Sequence, residues 1–127
     1  MGRIFRGEVY YADLEPTVGS EMKKTRPCVI VSNDSINFNS SVVIVCPITD
    51  AYNKRKTSPI HILIPMGEGG LVKDSVVHCG QIRAIDKSRL NAKPIGGLDD
   101  EKMGKITEGI AHATDIPQSP QLIIKTL

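Results

Sequence analysis

No apolar run in this chain is long. Cys28 to Val31 and Val42 to Ile48 are the longest, and the second contains Pro47. Between them stand turn-forming clusters such as Asn33–Ser40 and the MGEGG stretch at 66–70. Segments this short, rich in Val and Ile and bounded by turn chemistry, read as strands. Glu8–Leu14, Arg26–Ser32, Ser41–Ile48 and Pro59–Pro65 are predicted as the first four. Ser75–Ile85 holds a fifth and a sixth, broken near Gly80. Arg26–Ser32 is apolar on both faces and is expected to be buried on both. In PIHILIP (59–65), His61 and Leu63 share one face, and Ile60, Ile62 and Ile64 the other.

One helix is expected. Asp99, Asp100 and Glu101 suit its N-terminus, where carboxylates meet the positive end of the helix dipole. Met103, Ile106, Ile110 and Ala113 follow as one apolar stripe. Gly104 and Gly109 should each weaken that helix by about 1 kcal/mol relative to alanine. Five or six short strands and then a helix predict a mainly β fold, a small curved barrel capped by a C-terminal helix. The domain is expected over residues 1–116, with a flexible tail at 117–127.

The 127 residues suffice for one core. No run approaches the ~20 apolar residues of a membrane helix, and no secretory signal is visible at MGRIFRGEVYY. Three cysteines, Cys28, Cys46 and Cys79, all lie beside apolar residues with no CxxC pair, which fits a reducing cytoplasm. Net charge is only +2, so the chain as a whole has no nucleic-acid signature. The basic residues cluster instead, at Lys23/Lys24/Arg26, at Lys54/Arg55/Lys56 and at Arg83/Lys87/Arg89/Lys93. Such clusters can meet a short stretch of phosphate backbone. Phosphate-loop, GxGxxG, HExxH and GxSxG motifs are absent, and His61, His78 and His112 lack metal-ligand spacing. Neither a cofactor nor a metal is expected.

Four further segments occur together: RGEV at 6–9, PTVGSE then TRP at 16–27, PIT at 47–49, and QIRAIDKSRL at 81–90. In this order they resemble the MazF/PemK family of toxin endoribonucleases, from about Arg6 to Thr114. The resemblance implies an SH3-like barrel, usually a homodimer, that cleaves single-stranded RNA without a metal and is neutralised by a cognate antitoxin. It matches Arg26 and Thr49 to the family's catalytic arginine and threonine. Gly19, Ser20 and Glu21 then fall in a loop that contacts RNA, and Gln81 and Arg83 in a second strand-end motif.

That chemistry suits the residues. If the ribose 2′-hydroxyl attacks the adjacent phosphate, negative charge builds on the phosphoryl oxygens. Arg26 offers a permanent cation with a planar fork of donors, and Pro27 restricts its backbone to extended angles. Thr49, at the end of its strand, adds a hydroxyl donor. Gln81 can read a base edge, and Arg83 can hold a phosphate or guanine. The general base is left open between Glu21 and Asp86. Aromatic residues are few, so bases should be read mainly by hydrogen bonds. Two other readings remain: a non-enzymatic toxin of the same fold that binds DNA gyrase, and a passive RNA-binding barrel.

Overall fold

The computed structural model describes residues 2–51 and 58–117. Among the described residues seven strands form one sheet: β1 (Glu8–Asp13), β2 (Thr25–Ile30), β3 (Val42–Asp50), β4 (His61–Ile64), β5 (Ser75–His78), β6 (Arg83–Asp86) and β7 (Gly96–Gly97). Their order is β4-β5-β3-β2-β1-β7, with β6 also on β3 and all pairings antiparallel. The sheet curls into a half-barrel, with helix α2 (Asp100–Ala113) packed on it, as the strand count predicts.

Strand β3 organises the rest. One of its edges meets β2; the other meets β6 at Val42–Val45 and β5 at Ile48–Asp50. Pro47 does not interrupt it. The Val31 amide donates to the Ile44 carbonyl, so even-numbered residues of β3 address β2 and odd-numbered ones address β5 and β6. The N–H that Pro47 lacks therefore faces the second edge. There the partner strand breaks into the 3₁₀ turn Cys79–Gln81. The break near Gly80 is thus the answer of one strand to a missing donor in its neighbour.

Apolar residues fill both faces. One cluster joins Val9, Val29, Cys46, Ile48, Val77 and Cys79 to Met103 and Ile106 of α2. The other joins Tyr10, Ala12, Cys28, Ile30, Val43, Val45 and Ile85, closed by Ile4, Leu14 and Leu90. β2 contributes to each in alternation, as its two-faced pattern predicts.

Three expectations need correction. Asn33–Ser40, read as turn chemistry, holds a short helix, α1 (Asp34–Asn39). The Asn33 side chain caps it by accepting from the Ile36 amide at 2.9 Å, and buried Asn37 donates to the Ser32 carbonyl at 3.0 Å. The residues that signal turns serve here as cap and buried link. In α2, Ala113 is exposed and the buried stripe is Met103, Ile106, Gly109 and Ala111. Gly109 is no mere weakness either: a Cβ there would stand 2.6 Å from Cys79 Sγ and 3.0 Å from the Pro59 carbonyl oxygen. Likewise MGEGG is a packed joint, where a Cβ on Gly70 would lie 1.9 Å from the Ile95 carbonyl oxygen. The Lys54/Arg55/Lys56 cluster, Tyr52 and the tail from 118 lie outside the described residues.

Candidate active site

The site forms where β2, β3 and β5 end together. Arg26 is the second residue of β2, and Thr49 the last but one of β3. The pairing Cys28↔Pro47, carried two residues further, leads Arg26 towards Thr49 on the same sheet face. Both border a cleft of about 240 Å³ with Tyr11, Pro27, Asp50 and Lys73. Tyr11, Pro27 and Asp50 alternate to the opposite face, so this cleft follows the strand-end rim. From this rim the Arg26 side chain reaches the loop before β2 and the Thr49 hydroxyl reaches His78.

That loop, 14–24, is fixed at its root and open at its tip. Arg26 Nε donates to the Lys23 carbonyl at 2.8 Å. Arg83 Nη1 donates to the Leu14 carbonyl at 3.2 Å, and Arg89 Nη1 donates to the carbonyls of Asp13 and Glu15. The Lys24 amide donates to Glu15 Oε2 at 2.9 Å, with Lys24 itself at φ 74°. Gly19, Ser20 and Glu21 form the exposed tip. From the Cys79–Gln81 turn, Gln81 Oε1 accepts the Met22 amide at 3.2 Å, linking the two segments matched to RNA contact.

Of the seven sequence-predicted residues, Arg26 and Thr49 border one cleft, and Gln81 bonds the loop at Met22. Arg83 sits behind them, opposite Val45 on β6. With Arg26 it draws the buried Cys28 thiol down electrostatically, yet burial prevails and pushes that thiol up to about 12. Gly19, Ser20 and Glu21 stay at the exposed loop tip, with no hydrogen bond to Arg26 or Thr49 among the described residues.

Neither proposed base fits well. Glu21 Oε1 accepts the Val18 amide at 2.5 Å, closing its own turn. Asp86 pairs with Val42 at the far end of β3. Seven residues separate that position from Thr49, about 23 Å of strand. The Ser88 hydroxyl and amide hold the Asp86 carboxyl below the usual carboxylate range, as a cap of the 3₁₀ turn Lys87–Arg89.

A residue that sequence reasoning passed over takes the adjacent place. His78 Nε2 lies 2.7 Å from Thr49 Oγ1. The register Thr49↔Val76 sets His78 diagonal to Thr49, on the same face. Its ring meets that of His61 edge-on, centroids 5.0 Å apart, across the His61↔His78 pair. Among the described residues no three His, Cys, Asp or Glu side chains gather closely enough to hold a metal ion.

Comparison with known proteins identifies the family. Residues 5–114 match the family described as PemK-like, MazF-like toxin of type II toxin–antitoxin system. The chain belongs to this family. It is similar to the endoribonuclease EndoA of Bacillus subtilis, at 46% identity over 84% of this chain and 90% of that one. It is equally similar to the endoribonuclease MazF of Staphylococcus saprophyticus, at 46% over 83% and 86%. Among solved structures, a mycobacterial endoribonuclease in complex with its cognate antitoxin superposes with TM-score 0.73. That match has 25% identity and covers 91% of this chain and 99% of the other. Among the described residues no helix is long and apolar enough to cross a membrane.

Proposed function

We propose that this MazF-like toxin cuts single-stranded RNA by attack of a ribose 2′-hydroxyl, leaving 2′,3′-cyclic phosphate and 5′-hydroxyl ends. Endoribonuclease activity itself accompanies membership of the family and 46% identity to two endoribonucleases over most of the chain. The observation that carries the mechanism is the meeting of Arg26 and Thr49 at adjoining strand ends. The Arg26 Nε is committed to the Lys23 carbonyl, which aims the remaining guanidinium N–H groups outward at a phosphate. Thr49 supplies a second polar hydrogen beside it. Together they favour the charge-rich phosphorane over the resting diester. Gly19, Ser20, Glu21, Gln81 and Arg83 line the approach and set which bases fit. The enzyme works as a homodimer in the cytoplasm. Its antitoxin offers an acidic, partly apolar segment that displaces the loop tip and covers the basic rim.

The test is incubation of a mixed-sequence RNA with the protein in EDTA. Discrete fragments whose 5′ ends accept a phosphate label directly, with cyclic 3′ ends, are expected. Arg26→Ala should lower the rate by at least ~10²-fold, the usual loss for one transition-state donor. A folded Arg26→Ala protein that cuts at the normal rate refutes the assignment.

A further inference from the structure

We infer that His78 is the proton acceptor behind Thr49, supplying the base that neither Glu21 nor Asp86 provides. The inference rests on the 2′-hydroxyl mechanism above. Its ground is geometric. Nε2 stands 2.7 Å from Thr49 Oγ1, hydrogen-bond distance for direct transfer. The half-buried ring is held from behind by His61, its partner across β4 and β5. β3 and β5 set this geometry, and a site carried on paired strands holds its side chains more tightly than one on a loop.

The step balances as follows. The 2′-hydroxyl proton passes to Thr49 Oγ1 while the Thr49 hydroxyl proton passes to His78 Nε2. The new bond forms between the 2′-oxygen and phosphorus, and the bond from phosphorus to the 5′-oxygen breaks. The departing 5′-oxygen takes a proton from water. The imidazolium then returns its proton to solvent, so no co-reactant is required. His78 acts through Thr49 and is a positioning and relay residue, without itself touching RNA.

Among the described residues, the charged and titratable side chains that strand register sets on this face are His61 from β4, Arg26 and Cys28 from β2 and Arg83 from β6. Asp50 of β3 alternates away, and Cys79 packs against α2 on the opposite side. Among the described residues, no carboxylate of β3, β4 or β5 shares this face. The relay demands the tautomer with Nε2 unprotonated at neutral pH.

Four measurements decide it. His78→Gln keeps a group able to bond Thr49 but cannot accept the proton. It should lower kcat about 10²-fold, within the range for a lost general base, with KM little changed. The wild-type kcat/KM should show an acid limb that reports the relay base, and this limb should vanish in His78→Gln yet persist in His61→Phe. Thr49→Ala combined with His78→Gln should be no slower than Thr49→Ala alone, since the two act in series. Side-chain ¹⁵N spectra of the unmodified protein should show Nε2 unprotonated at pH 8, a readout that survives even if the variants misfold. Normal kcat in His78→Gln, loss of the limb in His61→Phe instead, fully additive losses, or a protonated Nε2 would each overturn the relay. An RNA with a 2′-deoxy group at the cut separates the two levels. Its cleavage would defeat the 2′-hydroxyl mechanism, whereas its resistance together with a normal His78→Gln enzyme would defeat the relay alone.

Discussion

Two glycines in one helix should respond oppositely to the same substitution. Gly104 and Gly109 both lie inside α2. A methyl group on Gly104 meets nothing within 4 Å, so Gly104→Ala should return the ordinary helix preference, a gain of about 1 kcal/mol. On Gly109 the same methyl stands 2.6 Å from Cys79 Sγ, 3.0 Å from the Pro59 carbonyl oxygen and 3.3 Å from Cys79 Cβ. Comfortable contacts between such atoms run at about 3.5–4.0 Å. The helix must therefore back away from the 3₁₀ turn by several tenths of an ångström, or the thiol must swing. Overpacking of this kind costs about 1–3 kcal/mol, and the helix preference returns only ~1 of it. Gly109→Ala should be destabilised by about 1 kcal/mol, leaving the two variants roughly 2 kcal/mol apart. For a chain of this length that separation is about 6–10 °C in Tm. Calorimetry on both proteins, with urea melts at 25 °C, reads it directly. The Cys79→Ala background should recover part of the Gly109→Ala loss, because it removes the nearest atom. Equal stabilisation by the two substitutions would mean that α2 does not press on the Cys79–Gln81 turn.

Other outcomes follow from single contacts. Asp99→Ala removes the cap that accepts the Lys102 amide at 2.9 Å and should cost about 1 kcal/mol in a urea melt. Burial raises the Cys28 thiol from its ordinary 9.0 to about 12, and burial with the Glu8 carboxylate raises the Tyr10 phenol from 10.0 to about 12. Both groups are acids held neutral by folding. Their stabilising share is complete below about pH 9 and disappears as pH climbs towards 12, so urea melts across that window should show falling stability. Cys28, Cys46 and Cys79 are all buried and free, and should resist alkylation at pH 8 until denaturant is added. Gln81→Ala releases the Met22 amide and should raise KM for RNA severalfold while leaving Tm nearly unchanged.

Alternation and turn chemistry made most of the strands legible, and the acidic start and apolar stripe of α2 located its helix. The short helix at Asp34 was hidden because Asn and Ser serve caps and turns alike, and only tertiary packing decides between them. Pro47 was visible in the sequence, but not where its effect would fall. Its consequence appears in the neighbour, since a missing donor is felt by whichever edge it faces. For the candidate site, motif resemblance named Arg26 and Thr49. The contact of His78 with Thr49 was not legible, because it depends on the register between β3 and β5, and no spacing along the chain encodes a diagonal neighbour 29 residues away. Asp86 illustrates the converse, a carboxylate near QIR in sequence and about 23 Å of strand from Thr49 in space.

The bond from Arg26 to the Lys23 carbonyl makes the proposed catalytic cation and the overhanging loop a single mechanical piece. Prising up that one peptide group would unhitch the guanidinium from its bearing even with the phosphate path left clear. Inhibition would then need leverage at the loop root more than coverage of the groove, so a short ligand gripping only Lys23 and Lys24 could silence the toxin.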